Sequence, residues 1–297
     1  MSPAGAGTRT LGIVGGSGVY ALEGLAGARW EKVGSAFGAP SDELLLGELD
    51  GVPLAFLPRH GRGHPIPPSR VNYRANLDAL KRVGVTDVIS LSACGSLRED
   101  LAPGNFVLVD QFIDRTHARV SSFFDTGLVA HVSLARPVCA PLVDRIEQAA
   151  RELGLACRRG GTYLAMEGPQ FSSLAESRLY RAWGCDVIGM TNMPEAKLAR
   201  EAELCYASVA MVTDYDCWHP DHARVEVAQI VALLASNAEH ARALVARAAR
   251  SAGARPLPCV DGCDRALDHA LITAEGARDP ELLRRLDVVA GRVLRPR

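Results

Sequence analysis

Apolar residues along the chain follow two rhythms. Short runs with little alternation occur at Leu11–Val14, Val52–Leu57, Asp87–Ser92, Phe106–Asp110, 161–166, Asp186–Met190 and Cys205–Val212, as in strands covered on both faces. Elsewhere the spacing lengthens to three and four. Ala75, Leu77, Leu80 and Val83 mark a helix over Asn72–Val83, further helices are read at 141–153 and 173–182, and Val227, Ile230, Val231, Leu234, Ala238, Ala241 and Leu244 stripe a long one over Val225–Ser251. Glu43–Leu49 and Val52–Leu57 form a hairpin-like pair turning at Asp50-Gly51, and residues 114–136, with His117 and His131, read as an irregular loop. Strands and helices alternate, which predicts an α/β fold. No linker divides it, so a single domain is expected over residues 11–297 after a flexible start at 1–10. The tail past about 250, with Pro256, Pro258 and Pro280, reads as short helices.

Composition narrows the class. The net charge is −1 with basic residues scattered, which argues against a nucleic-acid partner. No apolar run reaches membrane-spanning length and the start lacks a signal-like pattern, so no membrane partner is expected and the location is read as cytoplasmic. Of the eight cysteines, Cys94, Cys139, Cys157, Cys185, Cys205 and Cys217 lie in or beside apolar segments, as buried thiols do. Cys259, Cys263 and the nearby His269, taken as one cluster, fit no common zinc pattern well, so no metal is expected.

The residues with chemistry lie where predicted strands end. Gly15-Gly16-Ser17-Gly18 follows the first strand, with glycines for close backbone approach and a hydroxyl suited to phosphate; a plain tight turn explains it equally well. Pro58-Arg59-His60-Gly61-Arg62-Gly63-His64 carries guanidinium and imidazole together, either an anion clamp or a solvated basic loop. Ser92-Ala93-Cys94-Gly95-Ser96 reads as a second small-residue turn. Met190-Thr191-Asn192-Met193-Pro194-Glu195 reads as a helix start, with Thr191 and Asn192 able to cap and Pro194 in the first turn, an arrangement that offers backbone N–H groups to an anion. At the end of the strand Cys205–Val212 stand Asp214 and Asp216, two residues apart. In extended chain both face one side, where each would raise the other's proton affinity; the bland reading is a solvated turn. Ligands bind at the carboxyl ends of strands in open α/β sheets. These ends together therefore predict one anion site with two carboxylates close by.

Gly15-Gly16-Ser17-Gly18, Arg59-His60-Gly61-Arg62, Val71-Asn72-Tyr73-Arg74-Ala75-Asn76, Ala93-Cys94-Gly95-Ser96-Leu97-Arg98-Glu99, Asp110-Gln111-Phe112-Ile113-Asp114-Arg115-Thr116, Glu167-Gly168-Pro169-Gln170-Phe171-Ser172-Ser173 and Thr213-Asp214-Tyr215-Asp216-Cys217-Trp218 resemble the trimeric purine nucleoside phosphorylases, in their 5'-methylthioadenosine phosphorylase branch. The resemblance runs from about Leu11 to about Leu244. It implies a central mixed β-sheet flanked by helices, a homotrimer, and a pentosyltransferase that converts methylthioadenosine and phosphate to adenine and 5-methylthioribose 1-phosphate in purine and methionine salvage. Phosphate is a co-substrate, and no cofactor is expected. The resemblance places Ser17, Arg59, His60, Ser92, Ala93 and Thr191 around phosphate. It makes Met190, Phe171, Asp214, Tyr215 and Asp216 substrate-binding, with the ribose over Met190 and Phe171, the base facing the two aspartates, and Ser172 below it. His131 would reach into a neighbouring subunit's site.

Relatives acting on 6-oxopurines resemble one another in having a Glu where this chain has Ser172 and an Asn where it has Asp214. A 6-amino group is a donor and needs an acceptor, so an adenine-type base is favoured. Val227 stands where those relatives place a His for the 5'-hydroxyl, which suits a methylthio group. Asp214 would then be the catalytic acid toward the purine N7, with Asp216 accepting from the exocyclic amine. Ser17 and Ser92 replace the threonines of the animal enzymes, and the tail past about 250 departs from the pattern. Three other readings stay open: a phosphorylase for purine nucleosides or methylthioinosine with broader base choice, a hydrolytic nucleosidase, and a catalytically silent nucleotide-binding protein.

Overall fold

The computed structural model describes residues 9–16, 24–220, 227–252 and 257–294, with the backbone alone at 227–232, 234–236 and 252. The apolar runs form strands. β1 (Leu11–Gly15), β4 (Val52–Pro58), β5 (Asp87–Ser96) and β11 (Cys205–Asp214) are almost wholly buried and pair in parallel in the order β4, β1, β5, β11. β2 (Ala26–Glu31) and β3 (Leu44–Leu49) extend this edge antiparallel, and β2, an exposed edge, carries no apolar run that would have announced it. β6 (Phe106–Val109) joins β11 antiparallel and carries β8 (Cys157–Arg159). β10 (Val187–Gly189) joins β5 antiparallel and leads to β9 (Thr162–Met166) and β7 (Gln111–Arg115), which makes one mixed sheet. β7 and β8 escape the sequence pattern because they are short and polar.

Helices flank the sheet: α1 (Tyr73–Arg82), α2 (Ala140–Glu152), α3 (Leu174–Ala182), α4 (Glu195–Glu201) and α5 (Val227–Ala252), then α6 (Pro280–Arg285) and α7 (Gly291–Leu294). α1 packs on α4 and α2 on α5. Asn72 caps α1, its Oδ1 accepting from Ala75 N at 3.1 Å, and Ser173 and Glu176 cap α3 reciprocally. On α5, Ala238, Ala241 and Leu244 are buried as the stripe requires. Among the described residues no helix is long and apolar enough to cross a membrane.

Three expectations change. The first eight residues of the expected flexible start lie outside the described ones, but Arg9 within it is 2% exposed with Nη1 2.7 Å from Asp87 Oδ2. Ser92–Ser96 is no turn. It continues β5, paired along β11, and its small side chains leave the room beside it open. Thr191 and Asn192 do not cap α4 either: Pro194 holds the cap position without a side-chain bond, and Asn192 turns inward at φ 68°.

One topological feature positions everything that follows. On the edge of β5 away from β11, β1 pairs as far as Ser90 and β10 begins at Gly95. Between them, no described strand pairs Leu91–Cys94 on that edge. The sheet splits there.

Candidate active site

The split opens a cavity of about 340 Å³ lined by Leu91–Gly95 of β5, Gly16 after β1, Arg59 and His60 after β4, Gly189–Thr191 after β10, and Thr213, Asp214 and Asp216 at the end of β11. Four strand ends thus meet around a volume suited to a small ligand. The groups at its two ends differ in chemistry.

At one end, Arg59 is 1% exposed, a depth that demands compensation for its charge. Its Nε and Nη2 bond Glu195 Oε2 and Oε1 at 2.9 and 3.2 Å, Nη1 bonds Leu91 O at 3.0 Å, and Nη2 also reaches Ser90 Oγ at 2.6 Å. The expected bidentate clamp on an anion is therefore corrected. Arg59 gives its fork to Glu195 and brings proximity and field to the cavity rather than a free pair of donors. Glu195 stays ionised, since the Arg59 charge and three donors outweigh its burial.

His60 donates Nδ1–H to Ile66 O at 2.9 Å, which leaves Nε2 as the other pole of the ring. Burial and the Arg59 charge depress its pKa to about 4, so the ring is neutral near pH 7 and Nε2 is an acceptor. His64, at φ 59°, stacks on it with centroids 4.2 Å apart and also lines the cavity. Arg62 does not join them. It is held outside by Asp42 and Glu43 and lies over the Trp30 ring.

Asn192 links this end to the sheet. Its Oδ1 accepts from Ser90 Oγ at 2.9 Å and its Nδ2 donates to Ser208 Oγ at 2.9 Å and Ser92 Oγ at 3.3 Å. Ser92 Oγ is thus engaged as an acceptor, and its own proton is left for a ligand in the cavity. Tyr206 Oη donates to Glu195 Oε1 at 2.9 Å. Ser90, Glu195, Tyr206 and Ser208 are supporting residues that sequence reasoning missed, and Asn192 was read there only as a helix cap; the one trace of Ser90, Tyr206 and Ser208 was polar side chains interrupting otherwise apolar strands.

At the other end, Asp214 Oδ2 accepts from Thr213 Oγ1 at 2.8 Å and Oδ1 from Asp216 N at 2.8 Å. Burial raises its pKa against these two donors. Asp216 is 3% exposed, holds φ 50° and leaves Oδ2 without a hydrogen bond. Burial raises its pKa to about 6, the nearby hydroxyl of Ser177 and the Cys217 backbone offset part of the rise, and the Asp214 charge adds a smaller push. Desolvation, not mutual repulsion, is therefore the main source of proton affinity in both. Nor does strand alternation align them: β11 ends at Asp214, and a left-handed backbone at Asp216 turns its side chain back. A Cβ on Gly95 would lie 2.9 Å from Asp214 Oδ1, so the glycine keeps this end open.

Residues 10–250 match the phosphorylase superfamily. The chain belongs to that family. Among its relatives, an S-methyl-5'-thioadenosine phosphorylase of Cereibacter sphaeroides is 65% identical over 285 residues, covering 96% of this chain and 98% of that one. One of Rhodospirillum rubrum is 63% identical, covering 96% and 97%. A crystal structure of methylthioadenosine phosphorylase from an antarctic soil metagenomic library superposes with a TM-score of 0.88 at 44% identity, covering 95% of this chain and 99% of that chain. The Schistosoma mansoni enzyme in complex with adenine superposes with a TM-score of 0.83 at 36% identity, covering 91% and 99%.

Of the residues assigned from sequence in this phosphorylase, Arg59, His60, Ser92, Ala93, Phe171, Met190, Thr191, Asp214 and Asp216 line the one cavity. Thr191 Oγ1 lies 3.4 Å from Tyr163 Oη, and Phe171 is 47% exposed at the cavity wall. Gly168 makes room for Met190, whose Sδ would lie 2.5 Å from a Cβ there. Two assigned residues lie outside the lining. The Tyr215 side chain is not in the lining: its ring stacks on His219 and its hydroxyl donates to Glu99 O at 3.4 Å, because it sits between two residues that face the other way. Ser172 is 8% exposed behind the wall, its hydroxyl 3.7 Å from Met166 Sδ and close enough to Asp216 to favour that carboxylate's ionised form. Ser17 and the Val227 side chain lie outside the described residues, and His131 is exposed on the loop after β7.

Proposed function

We infer that the protein cleaves 5'-methylthioadenosine with inorganic phosphate, releasing adenine and 5-methylthioribose 1-phosphate. One arrangement carries the reading: a single cavity has anion-compatible groups at one end and, at the other, two carboxylates, one buried and one half-buried, of raised proton affinity. The names of the relatives agree with it.

In this reading phosphate sits against the unpaired edge of β5, taking the Ser92 hydroxyl and backbone N–H groups at Ala93 and Thr191, with Ser17 closing over it. Neutral His60 accepts a hydrogen bond from a P–O–H group at Nε2 and so orients the anion. The bond from the anomeric carbon to the purine N9 breaks, a phosphate oxygen bonds to that carbon, and the anion offsets the positive charge that develops on the ribose. Negative charge goes to the departing base. Asp214 protonates N7, and Asp216 accepts from the 6-amino group. Met190 and Phe171 flank the sugar, and Val227 meets the methylthio group. Active sites are completed in a homotrimer, with His131 entering from the neighbouring subunit, and the eight thiols suit the reducing cytoplasm.

The experiment is an assay of free adenine from methylthioadenosine with and without phosphate, run beside inosine and adenosine. Adenine release that needs phosphate, with methylthioadenosine the best substrate, is expected. Release without phosphate would make the protein a nucleosidase, and equal turnover of inosine would overturn the base assignment.

A further inference from the structure

Away from the cavity, four cysteines converge. Cys139 stands at the cap of α2, Cys205 opens β11, and Cys259 and Cys263 lie in the segment after α5. All four are buried and their Sγ atoms lie within 4.8 Å of one another. We propose that this cluster is a tetrahedral thiolate site that holds one zinc ion and fastens the C-terminal segment to the sheet.

Zinc–sulfur bonds of about 2.3 Å place the corners of a tetrahedral site about 3.8 Å apart. Cys139 and Cys259 Sγ are 3.7 Å apart already, and the outer limit of 4.8 Å asks for a contraction of about 1 Å. A disulfide, at about 2.05 Å, would join two of the four and strand the others. Close contact is not confined to that pair. Cys205 meets both Cys259 and Cys263, and Cys263 also meets Cys139, so every cysteine faces at least two others.

The local chain is built to present the ligands. Cys259 and Cys263 are four residues apart, a spacing within the range of zinc loops. Gly262 at φ 68° turns the chain between them, its N–H donating to Cys259 O at 2.9 Å, and Cys259 N donates to Asp264 Oδ2 at 2.7 Å. Arg9 Nη1 lies 3.8 Å from Cys205 Sγ, a cation beside a site that four thiolates would make negative. His269, the neighbour that the sequence put forward, is exposed and outside the cluster. The local pair supplies half a ligand set, and residues more than fifty positions away supply the rest, which is why spacing alone argued against a metal.

The cluster lies at the amino end of β11 and Asp214 at its carboxyl end, about 30 Å away along the strand. Four buried protein ligands also leave no open coordination position. The ion is therefore structural and takes no part in turnover.

The test uses the whole chain, produced in zinc-supplemented medium and purified without chelator. Metal analysis should find about one zinc per chain, and Cys263→Ser and Cys205→Ser should reduce it at least fivefold. Chelation should lower the Tm of the parent by roughly 5 °C or more and leave that of Cys263→Ser unmoved, with activity below the melting range retained in both. Because a variant may fail to fold, cobalt substitution of the parent provides a second readout: sulfur-to-cobalt charge transfer with tetrahedral ligand-field bands is expected. A parent without metal whose eight thiols all titrate after unfolding, two missing thiols without metal, or a cobalt spectrum without sulfur ligation would each overturn the proposal.

Discussion

Asp216 combines near-complete burial, a left-handed backbone and a carboxylate oxygen that lacks a hydrogen-bond donor, three features that each oppose stability. Raising its pKa from 3.8 to about 6 corresponds to a loss of about 3 kcal/mol of stability at pH 8, at about 1.36 kcal/mol for each tenfold change in proton affinity. The sign follows from proton uptake. Between those two values the native state binds more protons than the unfolded one, so stability falls as pH rises through the window and stays lower above it. Asp216→Asn removes the ionisation; its Tm should exceed the parent's at pH 8, the gain should vanish below about pH 4, and turnover should drop. A Tm difference independent of pH would show that desolvation of this carboxylate is not the cause. His60 acts with the opposite slope: its pKa is depressed to about 4, so it removes stability as pH falls below about 6.5. For Asp214, held by Thr213 and the Asp216 backbone, substitution by Ala should lower kcat by about 10²–10³-fold with the phosphate KM within about threefold. Turnover near the parent's value would take Asp214 out of the acid's role.

Strand ends supply the chemistry, and the elements behind them decide what each end can offer. β4 delivers Arg59 and α4 delivers Glu195 from 136 positions away, and both are buried. Breaking such a pair leaves a bare charge, so Glu195→Gln should destabilise the fold by about 3–5 kcal/mol. An apolar double substitution, Arg59→Met with Glu195→Met, should recover much of that stability while the phosphate KM stays raised, because the positive field is gone. Denaturant unfolding of the two variants separates the effects, and a double variant as unstable as Glu195→Gln would refute the pairing argument. The same elements explain what the sequence disclosed. Long apolar runs revealed β1, β4, β5 and β11, since burial on both faces writes an unbroken signal, and strand-end glycines and hydroxyls marked the cavity. It hid the continuation of β5 through Ser96, because small residues that read as a turn in isolation become strand once β11 and β10 pair with them. It also hid Glu195 as the partner of Arg59, because pairing across 136 positions leaves no periodic trace.

At the scale of the molecule, several large apolar side chains stand at the surface. Phe171, Leu174, Leu179 and Trp183, from the cavity wall through α3, are 43–47% exposed, and Val120 and Val129 on the loop bearing His131 are 56% and 39% exposed. Exposed apolar side chains such as these favour contact between subunits. The proposed trimer should sediment at about three times the 31.7 kDa chain mass. Neither the proposed trimer nor the role proposed for His131 was readable from hydrophobic pattern, because a surface that would face a neighbouring copy looks in sequence like any half-exposed helix. Complementation tests both at once. His131→Ala chains and Asp214→Ala chains should each be impaired alone, the former mainly through a nucleoside KM raised about tenfold. If His131 serves a neighbour's cavity, unfolding the two together and refolding them creates sites with an intact Asp214 from one chain and an intact His131 from the next, in about one quarter of positions under random assortment. At nucleoside concentrations well below the parent's KM, activity per site should then rise above that of either variant. If His131 instead serves its own subunit, every site in the mixture carries one defect or the other, no recovery occurs, and the shared-site arrangement is refuted.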